Sequence, residues 1–540
     1  MSEAQTETTS AEETPSMPKW PSLFRNYISF CGFAIAAASL TSIALLILLE
    51  FYSTIDNPYT DLVTFIFVPS ILGFGLFVAF AGALWERHQR RHIAPKDLKP
   101  FPILDLNDPR RRRSFFLFIV VAFGFLFISA FGSYRAYEYT ESVTFCGQAC
   151  HVPMKPEFTA YQASPHAKIR CVECHVGGGA EAYVKAKFNG MHQLWGVVSG
   201  HYNRPIESPV KNMREATETC QKCHWSEKYY GDQIRVFDHY GYDQQNSLNR
   251  TRLLVKVGGG SPDAGPVGGI HWHMSVANKI DFIATDEKRQ AIPWVRMTDA
   301  NGNVTEFTAR DSGVTSQQIN DLPKRRMDCI DCHNRPAHIY LSPNEAVDRS
   351  LDAQRLDIML PFIKARAVET LSKPYDSEDE ALATIASDID GYYRITYGDT
   401  YNSRRDSITS AIKELQSIYA TYFFPEMKTD WKAHPNNIGH FYGQGCFRCH
   451  DGQHFSPDGR VIRNDCNICH TTLDQTFRGQ TISNPAGEFQ HPVNLGDRGN
   501  WLCANCHKGD RTFVHPLNLG DISRFQCADC HSGNYKKVAF

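Results

Sequence analysis

Sixteen of the seventeen cysteines in this 540-residue chain fall into pairs, and a histidine follows each pair at once. Seven pairs have the form Cys-x-x-Cys-His: Cys171/Cys174/His175, Cys220/Cys223/His224, Cys329/Cys332/His333, Cys446/Cys449/His450, Cys466/Cys469/His470, Cys503/Cys506/His507 and Cys527/Cys530/His531. An eighth, Cys146/Cys150/His151, has one more residue between its cysteines. Chance at this composition would give about 0.02 such pentapeptides, so the pattern is chemical. Two thiols at this spacing can form thioethers to a porphyrin while the adjacent imidazole ligates its iron, which makes each motif an attachment site for c-type haem. A disulfide framework has no reason to place a histidine behind every second cysteine. Zinc sites built on Cys-x-x-Cys pairs need no eight such histidines. The seventeenth cysteine, Cys31, lies in an apolar stretch.

Eight irons need further axial ligands. Beyond the motif histidines and the pair His88 and His92, which lie in a basic loop among arginines, twelve histidines remain: His166, His192, His201, His239, His271, His273, His338, His434, His440, His454, His491 and His515. All but His440 enter the candidate ligand set, joined by Met154, three residues after His151. Four of them share an offset: His434, His454, His491 and His515 each stand twelve residues before the first cysteine of a motif, three of them opening a His-Pro-x-Asn-x-Gly segment. One ligation unit is therefore expected four times, each such histidine serving its own haem or a neighbour. Iron held by two histidines keeps its ligands in both redox states, which suits electron transfer. The alternative, a terminal reductase of a small nitrogen or sulfur oxyanion, requires an open iron, whereas all eight motifs keep histidine.

These sites must be positioned by the rest of the chain. The apolar runs Ile28 to Tyr52, Leu62 to Trp85 and Phe115 to Ser133 are each about 20 residues long, enough to cross a bilayer. The loop Glu86 to Ser114 carries nine Lys and Arg and the loop Ser53 to Thr60 none, so the basic loop is expected inside and the haem region outside. A net charge of -2 gives no hint of nucleic-acid binding. With roughly fifty residues per haem after the last span, porphyrins must supply much of the core. The expected fold is mainly α and irregular: three N-terminal transmembrane helices, then a haem-packed cytochrome region with a few β-strands.

At residues 115–225 the pattern becomes specific. An apolar span, a haem motif followed closely by Met154, YQASPHAK (Tyr161 to Lys168), CVECH, AYVKAKFNG (Ala182 to Gly190) and CQKCHW together resemble the NapC/NirT family of membrane-anchored cytochromes, in the enlarged inner-membrane form found in metal-respiring bacteria. The resemblance implies oxidation of quinol, menaquinol or ubiquinol, at a first haem against the membrane and delivery to periplasmic multihaem cytochromes or reductases. It also places a quinol site at Lys185 or Lys187. Where the family tends to carry an acidic residue nearby, this chain has His192 and Gln193, which complete the candidate site.

The expected organisation is a cytoplasmic tail (1–25), the spans with their basic loop (26–133), a NapC/NirT-like region with haems 1–3 (134–227), a strand-containing region with haem 4 (228–343), a helical spacer (344–425) and a four-haem repeat (426–540). Strands are expected at Thr251 to Val257, Lys279 to Ala284 and Trp294 to Ala309, the last pair joined by an Asn-Gly turn. Glu181 to Gly200 reads as a helix near the membrane surface, and Asn344 to Tyr422 as a helical hairpin broken at Pro374.

Overall fold

The computed structural model describes residues 23, 24, 26–52, 68–90, 107–176, 180–210, 215–225, 231–258, 268–274, 278–310, 312–477, 479–483 and 489. The chain divides into two units, residues 1–136 with 178–187 and residues 137–177 with 188–540.

In the first unit, α1 (Tyr27–Tyr52) and α2 (Val68–Gln89) pack through small residues. A Cβ added at Gly32 would lie 2.3 Å from the Ala79 nitrogen, and one at Gly75 would lie 2.7 Å from that of Ala36. Such close backbone approach, at four-residue spacing, is how helices associate in lipid, where burial of apolar surface drives nothing. The Ser29 hydroxyl closes the contact by donating to the Ala79 carbonyl at 2.8 Å. Phe74, Phe77, Phe80 and Leu84 remain exposed.

Two helices among the described residues, not the three expected, are long and apolar enough to cross a membrane: Tyr27–Ala44 within α1, and Val68–Gln89. The expected third span is the middle of α3 (Pro109–Thr140), a 32-residue helix that opens on Arg110 to Arg113 and carries Arg135 and Glu138 near its end. The stretch Phe115 to Ser133 between these charged turns carries no charged residue, and many of its side chains lie outside the described residues.

The second unit opens on α4 (His151–Gln162); α5 (Ala180–Ser199), which covers the expected surface helix, has residues 180–187 in the first unit and the rest in the second. Two antiparallel sheets follow. The first has the order β1 (Gln233–Tyr240), β2 (Leu248–Val255), β8 (His470–Phe477), β9 (Gln480–Ser483). The second has the order β6 (Arg325–Arg326), β3 (Lys279–Ile283), β4 (Trp294–Thr298), β5 (Val304–Ala309), β7 (His454–Phe455). The turn between β4 and β5 holds Gly302 at φ +84°, a left-handed conformation that favours glycine. β1, β8 and β9 lack the clear turn signals that betrayed β3 to β5.

Residues 343–422 form α6 (Pro343–Asp352), α7 (Ile363–Leu371), α8 (Glu378–Thr396) and α9 (Arg405–Tyr422), with a short helix at Gly398–Ser403 before α9, a helical block instead of a hairpin. Ser342 and Ser377 cap α6 and α8 by accepting from the backbone N–H groups of Glu345 and Glu380. Pro361 and the left-handed Phe362 that follows it (φ +57°) separate α6 from α7. The haem-free core is here: Leu356, Leu360, Ile363, Ile385, Ile389, Ile408 and Leu415 are almost wholly buried.

Candidate haem-binding sites

The first motif shows how its extra residue is accommodated. Phe145–Ala149 is a π-helical turn, and a π turn takes in one residue more than an α turn. A Cβ on Gly147 would fall 2.2 Å from the Phe158 ring of α4, so the turn and α4 are seated together. His151 begins α4, and Met154 donates its backbone N–H to the Cys150 carbonyl at 3.0 Å. The side chain of His151 lies outside the described residues. So do the whole of the last two expected attachment sites, Cys503 with Cys506 and His507, and Cys527 with Cys530 and His531, and their candidate ligands His491 and His515.

In the third motif the two cysteines differ in surroundings. Cys220 is half-buried and Cys223 exposed, the same contrast that Cys329 and Cys332 show in the fourth motif. Cys220–Lys222 is a single 3-10 turn, closed by the Cys223 N–H donating to the Cys220 carbonyl at 3.1 Å.

The five motif histidines from His175 to His470 each face another histidine. Ring centroids stand 6.2 Å apart for His175 and His338, 6.2 Å for His224 and His166, and 6.4 Å for His333 and His271. They stand 5.8 Å apart for His450 and His273, and 6.1 Å for His470 and His440. Two imidazole nitrogens each about 2 Å from one metal, with roughly 1.1 Å from nitrogen to ring centre, give about 6 Å between centroids. Each pair would therefore be spaced to hold one haem iron between its two imidazoles.

Hydrogen bonding agrees with this geometry. The Nδ1 atoms of His338, His166, His273 and His450 lie 2.9, 3.1, 2.7 and 2.5 Å from the carbonyls of Glu157, Pro336, Ile270 and Arg463. A proton held there fixes the tautomer and frees Nε2 for a metal. Burial lowers the pKa of His175, His338, His333, His271, His450, His470 and His440, keeping these imidazoles in the neutral form a metal requires.

Local sequence explains the presentation. In YQASPHAK, the Tyr161 hydroxyl lies 2.6 Å from the Ala167 carbonyl and 2.9 Å from that of Ile169, while the Ser164 hydroxyl accepts from the His166 N–H, so this loop holds His166 out. The turn Ile270–Met274, IHWHM, supplies His271 to one motif and His273 to the next. β8 starts at His470, paired in register with Val255 of β2.

The twelve-residue offset does not set the pairing. His454 binds Asp451 Oδ1 through Nδ1 at 2.9 Å and the Ile292 carbonyl through Nε2 at 2.8 Å, leaving no nitrogen for iron. Although burial opposes it, the Asp451 bond keeps the His454 pKa raised. His434 is buried against Tyr340 at 5.8 Å instead of facing the His450 that follows it. Burial, then the charge of Arg335, pushes it down to about 4. The histidine facing His470 is His440, which lacks the offset and so carries no signal in the sequence. His239 stacks on Phe441 at 4.9 Å with Nδ1 3.3 Å from Asp348, and the exposed His201 bonds its Nδ1 to the Ser199 carbonyl at 2.8 Å.

Thiol proximity orders the motifs. A hydrogen bond with Cys146 draws the Cys171 thiol down to about 7. Burial and then the charge of Cys220 raise Cys174, with Cys223 adding to the effect; burial also raises Cys329 to about 11, with Cys220 again nearby. Burial raises Cys332 beside Cys446, and Cys469 also beside Cys446, each to about 11. The first six motifs are neighbours in chain order.

Lys185, His192 and Gln193 are all exposed on α5; the Lys187 side chain lies outside the described residues. On the same helix Phe188, Met191, Leu194, Trp195 and Val198 form an exposed apolar row at three- and four-residue spacing.

No three His, Cys, Asp or Glu side chains among the described residues converge as a metal-ion site, and no disulfide joins any described cysteine. Paired thiols, an adjacent imidazole and a second imidazole at axial distance fit haem c. The arrangement defines a membrane-anchored multihaem c-type cytochrome for electron transport.

Comparison with known proteins agrees. Residues 108–235 match the N-terminal region of the NapC/NirT cytochrome c family, and residues 440–532 match cytochrome c3. The cytochrome c-type protein ImcH of Geobacter sulfurreducens is 42% identical over 487 residues, covering 89% of this chain and 95% of that protein. The cytochrome c-type protein NrfH of Wolinella succinogenes is 29% identical over 104 residues, 19% of this chain and 58% of that protein. No solved structure matches. The chain belongs to the NapC/NirT family, as an enlarged member of the ImcH type.

Proposed function

We propose that this chain oxidises quinol at the outer face of the inner membrane and relays the electrons through eight covalently bound haems to periplasmic acceptors in anaerobic or extracellular respiration. The observation that carries the reading is the run of five facing histidine pairs on motifs that neighbour one another in chain order. Bound haem supplies one-electron redox chemistry at an iron that needs no change of ligands. The protein holds the imidazoles neutral and oriented, so little reorganises on each transfer. The domain boundaries given above, with haems 1–3 nearest the membrane and the four-haem repeat farthest along the chain, follow the same path. In this reading Cys506 with His507, and Cys530 with His531, hold the last two haems in the same way as the motifs before them.

Family membership supports the direction of flow, since NapC/NirT proteins draw on the quinol pool. In this reading Lys185 and Lys187 bind the quinol headgroup, His192 accepts a proton, and Gln193 completes the pocket, all on α5. The apolar row of α5 suits the headgroup layer, where aromatic residues such as Trp195 concentrate. The nine basic residues of the loop 86–114 favour a cytoplasmic position for that loop and an outer one for the haem region. Stopped-flow reduction of the haems by quinol analogues in membranes tests the assignment: rapid reduction from quinol is expected, and reduction only from the acceptor side would refute it.

A further inference from the structure

Two consecutive motifs, CIDCH at Cys329 and CFRCH at Cys446, fall on opposite sides of a boundary in the family matches. The second lies within the cytochrome c3 match and the first lies outside both matched regions. An electron passing from the NapC/NirT side to the C-terminal side crosses between them. The variable residues inside the two motifs are the ones that join them.

Arg448, third residue of CFRCH, is 8% exposed. Its Nη2 donates to the Asp331 carbonyl of the other motif at 2.7 Å, its Nη1 to the Arg289 carbonyl at 2.9 Å, and its Nε to the Gly445 carbonyl at 2.9 Å. The same Asp331 carbonyl accepts from Asn437 Nδ2 at 3.0 Å. The Asp331 carboxylate is occupied elsewhere, by Arg289 at 2.9 Å and Arg325 at 2.8 Å. Among the described residues no carboxylate pairs with Arg448, so its charge is buried against carbonyl dipoles alone. One short turn sets His271 and His273 against the two motif histidines, His333 and His450.

We propose that Arg448 is a positioning residue for electron transfer between the fourth and fifth haems, with two effects. Its planar fork bolts one attachment loop to the other, fixing the separation and relative tilt of the two haems. Its buried cation favours the reduced state at both, because reduction removes a positive charge beside it in a medium that screens poorly. The inference deepens the relay reading and rests on it for its purpose.

Redox titration of the full chain in detergent, followed by visible absorption and electron paramagnetic resonance, tests it without quinol. Arg448→Gln is expected to lower the midpoints of two haem steps and to weaken the magnetic coupling between two low-spin haems. Arg448→Lys keeps the charge and loses the fork, so near wild-type midpoints with weakened coupling are expected. Wild-type midpoints and coupling in Arg448→Gln, with every haem attached, would overturn the proposal. Should that variant lose haem, Asn437→Ala removes the second donor to Asp331, together with the Oδ1 that accepts from Gln290, and keeps Arg448: weakened coupling at unchanged midpoints supports the bolt, and an unchanged spectrum overturns it. Failure of quinol to reduce the wild-type chain would refute the proposed function and leave these midpoints as they are.

Discussion

The imidazoles of His440 and His470 face each other with ring centroids 6.1 Å apart and planes inclined by 25°. His440 stands in one attachment segment and His470 closes the next, so in the proposed relay a ligand for one haem would come from the segment that binds its neighbour. Such crossing-over makes adjacent haems interdependent. His440→Ala is expected to convert one low-spin haem to high spin in electron paramagnetic resonance. His454→Ala is expected to leave the haem signals unchanged, because both its ring nitrogens are spent on protein acceptors.

His454 should instead shape the pH dependence of stability. Its folded pKa lies above the ordinary 6.5, so the stabilisation from its Asp451 bond is complete below about pH 6.5 and disappears as pH rises through the raised folded value. Asp451, whose pKa is lowered, contributes above its ordinary 3.8 and loses that contribution as pH falls through the lowered value. Denaturant midpoints across this range should fall at the alkaline edge in the wild type. In His454→Gln that fall should be absent.

In the helical block, Lys364 is wholly buried and its Nζ meets Asp348 Oδ1 at 2.5 Å. Asp348 also accepts from the Tyr240 N–H at 2.9 Å, tying the block to β1. Asp348→Ala leaves an uncompensated buried cation and should cost about 3–5 kcal/mol in chemical unfolding of the block. Adding Lys364→Met to that variant should recover much of the loss.

The π turn at Phe145–Ala149 leaves no room for a side chain at Gly147. Gly147→Val should force the turn away from α4 and abolish attachment of the first haem alone, read as the loss of one haem in intact mass. Trimming the obstacle with Phe158→Ala should restore it.

The attachment motifs are legible because covalent chemistry dictates both residue type and spacing, as at Cys329/Cys332/His333. Burial was not, since spacing alone does not tell the exposed Cys223 from the half-buried Cys220 three residues earlier. Ligand pairing was not legible either, because nothing local joins His175 to His338 or His333 to His271; only the fold brings them together. The shared offset of His434 and His454 misled, since inherited spacing in a repeat does not say what a ring nitrogen meets. β3 to β5 announced themselves by alternation and an Asn-Gly turn, whereas β1 and β8 exist through their pairing with β2. The length of α3 escaped a hydropathy reading because its charged ends lie beyond the apolar stretch.

The central claim is that electrons enter from quinol and leave on the outer side. The full chain reconstituted in liposomes with a membrane-dissolved quinol and a membrane-impermeant oxidant outside tests it directly. The account predicts protein-dependent reduction of that oxidant, slowed in Lys185→Ala and in Lys187→Ala while dithionite still reduces every haem. Haems that stay oxidised with quinol, yet are reduced by an impermeant donor added outside, would contradict it.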